Sequence, residues 1–139
     1  MVNVIVSSDP RYSINRNAVQ AAVLNVLKKN RVTSKVELEV NIVGDRKMHE
    51  LNKQYRGIDS TTDILSFVLE DPNPSNLQHV PRMGFVAAPD NVLRLGSIVI
   101  AYPQAVEDAS LDGISVEDEI CFLVDHGTNH LLGIHHNPH

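Results

Sequence analysis

The sequence contains no tryptophan, one cysteine, three phenylalanines and three tyrosines in 139 residues. Its core must be mainly aliphatic, since 42% of the residues are hydrophobic but only 4% are aromatic. A single cysteine, Cys121, excludes an internal disulfide and fits a reducing compartment. Because Cys121 lies within the apolar run ICFLV, we interpret it as a small core residue rather than a nucleophile.

Long apolar stretches are also missing. None is long enough to cross a membrane, and the N-terminal MVNVIVSSDP has neither the basic region nor the cleavage site of a signal peptide. We therefore expect a cytoplasmic protein that does not bind membranes. The length fits a single domain over residues 1–139.

The net charge of −5 conceals an uneven distribution of sign. Residues 1–56 carry ten of the twelve Lys and Arg and five acids, a net charge of +5, whereas residues 57–139 carry a net charge of −10. A basic half can attract phosphate groups although the whole chain is acidic, because binding responds to the local potential. Solvated helix faces would give the same distribution, so both interpretations stay open at this point.

The spacing of apolar residues predicts an α/β (α+β) chain. The clearest strand is 36–42, in which Val, Leu, Val and Ile alternate with polar residues. A helix is predicted to follow Gly44, with Asp45 as its N-cap and with Met48, Leu51 and Tyr55 on its inner face. Residues 70–91 contain four prolines and are predicted to form a long surface loop. The remaining predicted elements are strands 2–6, 64–69 and 95–101 and a helix over 15–29.

A last helix is predicted to begin after Ser115, whose side chain can cap it. Three acidic residues follow in the first turn, where the helix dipole favours negative charge. On a helical wheel, His126 and His130 lie at the edge of an apolar stripe, where a side chain can face a cleft while the helix stays anchored in the core. The stripe consists of Val116, Ile120, Leu123, Val124, Gly127 and Leu131.

Five of the seven histidines lie in the last fifteen residues, DHGTNHLLGIHHNPH. His126 and His130 are four residues apart, so their imidazoles share one helical face. Gly133 can end the helix in a left-handed conformation, which lets the reversed chain bring His136 towards the same ion. Three nitrogen ligands with an open fourth position are the composition of a catalytic zinc site, so we predict one Zn²⁺ per chain.

Other residues of this segment limit that interpretation. His135 and His139 are expected to be solvent-exposed or to support the ligands rather than bind the ion. A zincin protease needs Glu directly after the first histidine, and Gly127 stands there, so peptide hydrolysis by that mechanism is not expected. A mid-helix glycine on the apolar stripe also suggests that another backbone packs closely against it.

Two segments, HGTNHLLGIHH (126–136) and YRGIDSTTDILSF (55–67), resemble the YbeY family of bacterial and organellar rRNA maturation factors, which are zinc-dependent endoribonucleases. The resemblance runs over most of the chain. It implies a small mixed four-stranded sheet flanked by helices, with a zincin-like metal helix at the C-terminus. It also implies that His126, His130 and His136 bind zinc and that Arg56 acts in the same groove. The chain departs from the family pattern at Ser97, where Asp is usual, and at Asn129, Ile134 and His135.

The residues and the resemblance together predict a phosphodiesterase that acts on RNA. The resemblance further implies a zinc-dependent single-strand endoribonuclease that processes the 3′ end of small-subunit rRNA and acts in ribosome quality control. Its partners would be rRNA and ribosomal or small-subunit components, with no DNA. Arg56 would bind the scissile phosphate, because its fork of donors matches phosphate oxygens better than lysine does. An ordinary ion pair of Arg56 with Asp59 or Asp63 is the competing interpretation.

The other functional residues are less specific. Lys53, Arg46 and Lys47 would contact the RNA backbone. His135 would carry a proton, or the reaction needs no protein base. Two alternatives remain: a metal-dependent hydrolase of another substrate, and a ribosome-associated binding factor in which zinc only clamps the C-terminus.

Overall fold

The computed structural model describes residues 2–32, 35–69 and 92–133. Four strands and four helices are found in these ranges, and they confirm the predicted α/β class. The strands are β1 (Val2–Ser8), β2 (Val36–Val43), β3 (Ile64–Val68) and β4 (Leu93–Ala101). The helices are α1 (Arg16–Lys29), α2 (Asp45–Arg56), α3 (Tyr102–Asp112) and α4 (Val116–Leu131).

The strands form one mixed sheet in the order β1-β2-β4-β3. β1, β2 and β4 run parallel, and β3 pairs antiparallel with β4 at the edge. Parallel neighbours need a crossover connection, and α1 supplies it between β1 and β2. The four-stranded mixed sheet implied by the family resemblance is therefore confirmed.

Apolar and polar residues alternate along β2, so their side chains point to opposite faces of the sheet. Val36, Leu38, Val40 and Ile42 are buried in the main core, which α1 and α4 cover. On the opposite face, α2 buries Met48 against a smaller cluster of Leu65, Val99 and Ala101. α2 covers this face near β4 and β3, and the described residues leave the face open over β1 and β2.

One helix was missed by the sequence reasoning. α3 follows β4 without a loop, and Pro103 lies near its start. Proline is tolerated in the first helical turn, where its missing N–H needs no partner. The helix ends at Gly113, whose φ of 71° is left-handed.

Two details predicted for α2 were wrong. The N-cap residue is Gly44, not Asp45. The Asp45 carboxylate instead accepts hydrogen bonds from Thr61 Oγ1 and Gln104 Nε2, each at 3.2 Å, and so ties α2 to the loop before β3 and to α3. Tyr55 is not an inner residue: it is 59% exposed and contacts Phe67 edge to face, with ring centroids 5.2 Å apart.

The predicted loop 70–91 and residues 134–139 lie outside the described residues. No helix in the described ranges is long and apolar enough to cross a membrane. The Cys121 thiol is half-buried and points to the carbonyl of Ala18 at 3.7 Å. Burial raises the pKa of this thiol, which supports its interpretation as an unreactive core residue.

A cluster of carboxyl groups joins α3, α4 and the start of β3. Burial and a hydrogen bond with Asp63 raise the pKa of Asp108 to about 6. Burial and a hydrogen bond with Asp112 also raise the pKa of Glu119, which is only 3% exposed. Carboxyl groups packed this closely share protons, because like charges at short range oppose ionisation.

This cluster predicts that stability falls as the pH rises from about 4 to about 6. In that window the folded state holds a proton on Asp108 that the unfolded chain has already released, so the free energy of unfolding decreases with pH. Asp108→Asn should flatten this slope and raise the free energy of unfolding at pH 7 by about 1–2 kcal/mol, allowing for partial hydration of the carboxyl. Denaturant unfolding at pH 4.5 and 7.5 measures the effect, with the uncharged, exposed Ser110→Ala on α3 as control. An Asp108→Asn protein with the full wild-type slope would contradict it.

Candidate functional site

The helix that carries the histidines begins as predicted. Ser115 is the N-cap of α4, and its Oγ accepts a hydrogen bond from the Asp118 N–H at 3.0 Å. The predicted apolar stripe faces the core, with only Val116 partly exposed. α4 is thereby fixed in rotation about its axis, which decides where its polar residues point.

His126 and His130 lie side by side on the half-buried edge of α4. Their ring centroids are 4.4 Å apart and the rings are tilted by 46°. Imidazoles this close can donate nitrogen atoms to one ion without a change of helix geometry. The structure thus brings together two of the three predicted ligands.

The third predicted ligand, His136, lies outside the described residues, as does His135. The turn before them is as predicted: Gly133 has a φ of 81°, and its N–H donates to the His130 carbonyl at 2.9 Å. Within the described part of the chain, no three His, Cys, Asp or Glu side chains are grouped closely enough to hold a metal ion.

Gly127 lies between the two histidines and faces the sheet. A Cβ atom built there would be 3.0 Å from Ile98 Cγ2 and 3.1 Å from Ile64 Cδ1. The neighbours are therefore side chains of β4 and β3, not the backbone that the sequence suggested. This close contact lets the part of α4 that carries the histidines pack directly on β4 and β3.

Asn129, a departure from the family pattern, is buried and bonded within its own helix. Its Nδ2 donates to the Asp125 carbonyl at 2.9 Å and to Asp125 Oδ1 at 3.0 Å. The carboxylate of Asp125, the residue directly before His126, thus accepts a hydrogen bond from Asn129 one turn away.

Arg56 is exposed at the C-terminus of α2, and Gly57 turns the chain there with a φ of 71°. The loop that follows is fastened by Asn52, whose buried Nδ2 donates to the Ser60 carbonyl at 2.9 Å. It leads into Ile64, the residue that contacts Gly127. Arg56 and the histidines are therefore linked through one short, fastened segment.

The competing interpretation of Arg56 as an ion-pair partner finds no support. Among the residues that the structure describes, Arg56 has no carboxylate within 4.0 Å. Asp59 pairs instead with His49, and Asp63 interacts with Asp108. Neither Asp59 nor Asp63 therefore forms an ion pair with the Arg56 guanidinium.

The pair of His49 and Asp59 was missed by the sequence reasoning. His49 Nε2 lies 2.5 Å from Asp59 Oδ1, and this bond, together with nearby Lys53, lowers the pKa of the aspartate. Helical spacing could not have predicted this pair, because Asp59 lies in the loop after α2, ten residues from His49. The Asp59 carboxylate thus holds the orientation of the His49 ring.

A cavity of about 870 Å³ opens on the other side of α2, over the uncovered part of the sheet. Arg46 and Lys47 line it, whereas Lys53, Arg56 and the described histidines do not. The predicted substrate-binding residues therefore divide between two places: the cavity and the exposed face of α2.

Comparisons with known proteins show which family this chain belongs to. The family model described as Endoribonuclease YbeY matches residues 6–139. The chain belongs to the YbeY endoribonuclease family. Among curated members, it is 36% identical to Endoribonuclease YbeY of Dehalococcoides mccartyi (strain 195) over 98% of this chain and 78% of that protein. It is 37% identical to the protein of the same name from Roseiflexus castenholzii, over 91% and 75% of the two chains.

The fold agrees with a solved structure at lower identity. The solution structure of TM1509 from Thermotoga maritima matches with a TM-score of 0.57 and 22% identity, over 96% of this chain and 75% of that one. The family membership inferred from 55–67 and 126–136 is thus confirmed, and the solved structure supports the fold.

Proposed function

We propose that this chain is a zinc-dependent single-strand endoribonuclease of the cytoplasm that acts in the maturation of small-subunit rRNA and in ribosome quality control. Membership of the YbeY family supports the RNA-cleaving activity. The observation that carries the metal dependence is the pair of imidazoles, 4.4 Å apart on a half-buried helix edge.

The donor set on α4 fits a zinc ion. His126 and His130 would supply two nitrogen ligands, and His136, which follows the left-handed Gly133 in the sequence, is the proposed third ligand. The chemistry that a bound zinc supplies is polarisation of the scissile phosphodiester and stabilisation of its negative charge. The ligand helix is anchored by its buried stripe, so the imidazoles are held in place before the substrate binds.

Arg56 is the proposed phosphate ligand from the protein. Its guanidinium is exposed, has no carboxylate partner among the described residues, and lies at the end of a segment fastened by Asn52. A planar fork of donors stabilises the developing charge of a phosphodiester through two hydrogen bonds. Lys53, one turn earlier on α2, adds positive charge along the RNA backbone, and His135 remains the proposed proton carrier.

A cleavage assay with single-stranded RNA tests the function. We expect cleavage by the zinc-loaded protein, loss of cleavage with a chelator, and recovery when zinc is restored. A chelator-resistant activity would contradict the metal dependence. Tight RNA binding without any cleavage would favour a binding factor in which zinc only clamps the C-terminus.

Arg56→Ala is expected to lower the single-turnover cleavage rate by roughly 10²–10³, the loss seen when one transition-state donor is removed. Arg56→Lys should recover only part of this, because a point charge cannot form the bidentate contact. Zinc content and the thermal midpoint should be unchanged, since the side chain is exposed and makes no ion pair in the described ranges.

Gln54→Ala, an exposed change in the same turn of α2, is the matched control and should cleave at the wild-type rate. Equal cleavage rates for wild type, Arg56→Ala and Arg56→Lys would show that Arg56 does not contribute to catalysis.

A further inference from the structure

The cavity beside α2 is lined partly by polar side chains, unlike a packing void in a hydrophobic core. Its floor carries the polar side chains of Ser7, Asn41 and Ser97, one from each of the parallel strands β1, β2 and β4. Sheet faces that are meant to be covered carry apolar residues at such positions, as the opposite face of this sheet does. The polar floor indicates a surface that meets a polar ligand rather than a helix.

The floor is organised for hydrogen bonding. Ser7 Oγ donates to Asn41 Oδ1 at 2.5 Å, which fixes the amide and directs its Nδ2 hydrogens to other acceptors. Ser97 supplies a hydroxyl that can donate or accept. Donors and acceptors of this kind match the edge of a heterocyclic base.

The rim carries positive charge and one exposed aromatic ring. Arg46 and Lys47 are exposed, and within the described ranges neither lies within 4.0 Å of a carboxylate, although Glu50 also lines the cavity. Arg11 is neutralised by Asp9 at 2.8 Å. Tyr55 is held by its edge contact with Phe67 yet remains 59% exposed.

We propose that this cavity is a nucleotide subsite, in which one unpaired base of the RNA stacks on Tyr55 above the Asn41–Ser97 floor while the adjacent phosphates contact Arg46 and Lys47. Single-stranded RNA is bound in this manner by other proteins, through aromatic stacking combined with backbone cations. The volume of about 870 Å³ lies in the range of roughly 300–1,000 Å³ typical of small-ligand pockets. This inference rests on the proposed RNA-cleaving function and adds a site apart from the histidines and Arg56.

The test is a coupling experiment on binding. The probe is a fluorescent, 2′-O-methylated single-stranded RNA, and a gel run after the measurement confirms that it is intact. A series of the same RNA, in which each position in turn lacks its base, is measured alongside it. We expect one abasic position to weaken binding to the wild type by roughly 10- to 100-fold, the value of one base–aromatic stack. Tyr55→Ala should bind the intact RNA with a similar loss and should be insensitive to that abasic position. Tyr55→Phe should behave as wild type.

Two further variants examine the floor and the rim. Ser97→Leu, which fills the floor, should also weaken binding of the intact RNA by at least about 10-fold. Lys47→Ala should reduce the slope of log affinity against log salt by about 0.7. Gln54→Ala serves again as control, and thermal midpoints confirm that each variant is folded.

The outcomes separate this site from the proposed function. If Tyr55→Ala and Ser97→Leu bind RNA as the wild type does, and keep its sensitivity to abasic positions, the nucleotide subsite is overturned and the cavity serves another ligand. Arg56→Ala would still report on catalysis in that case. If the wild type neither binds nor cleaves RNA, both the subsite and the proposed function fail.

Discussion

His130→Ala is expected to abolish the proposed binding of zinc and with it all measurable RNA cleavage. The imidazoles of His126 and His130 are adjacent, and removing one leaves an incomplete donor set for an ion that takes four ligands. Alanine is the best helix former and α4 is anchored by its buried stripe, so the helix itself should persist. Metal analysis of the purified protein, circular dichroism and single-turnover cleavage measure the three consequences.

His49→Ala is the matched control for metal content. His49 lies on α2 and pairs with Asp59 in the following loop, so it is not one of the proposed ligands, and its removal should leave about one zinc per chain. A His130→Ala protein with full zinc would refute the proposed ligand set. A zinc-free His130→Ala protein that cleaves at the wild-type rate would instead refute the catalytic role of the metal.

Gly127→Glu is expected to unfold the protein rather than to create a peptidase. The new side chain would start from a Cβ only 3.0 Å from Ile98 Cγ2, a residue with no exposed surface. Burying an unpaired carboxylate and overpacking the core together should cost at least about 4 kcal/mol, a large share of the stability of a small domain. Thermal and denaturant unfolding measure the loss, and a peptide-cleavage assay measures any new activity.

Gly127→Ala separates the charge from the crowding. A methyl group at this position gains about 1 kcal/mol of helix propensity and costs about 1–3 kcal/mol of overpacking against Ile98 and Ile64, so the net change should stay within about 2 kcal/mol. A Gly127→Glu protein as stable as the wild type would show that the position does not face the core. Chelator-sensitive peptide cleavage by that variant would reopen the protease interpretation.

Local patterns in the sequence were sufficient for several parts of the fold. The alternation in 36–42 fixed both the existence of β2 and its buried face, because side chains of a strand point to opposite sides. Ser115 and the acids after it marked the start of α4, and the apolar stripe marked its inner face. Helical spacing alone placed His126 next to His130.

Other features depended on contacts between distant parts of the chain. The sequence does not show that Asp45 binds Thr61 and Gln104, because these partners come from a loop and from α3. Nor does it show that Tyr55 stays exposed, since its helix covers only part of the sheet. The raised pKa of Asp108 likewise arises only in the folded chain, where this α3 residue is partly buried and meets Asp63 from the segment before β3.

The sequence by itself determined the helix that carries His126 and His130, its cap, its buried stripe and the adjacency of these two histidines, because each is set by residues within a few turns of one another. Only the tertiary structure decided that Gly127 faces Ile98 and Ile64, and that α2 leaves a polar cavity beside Arg46 and Lys47. These features depend on how far each helix covers the sheet. The extent of cover is set by the packing of side chains from separate elements, and local periodicity in the sequence does not encode such packing.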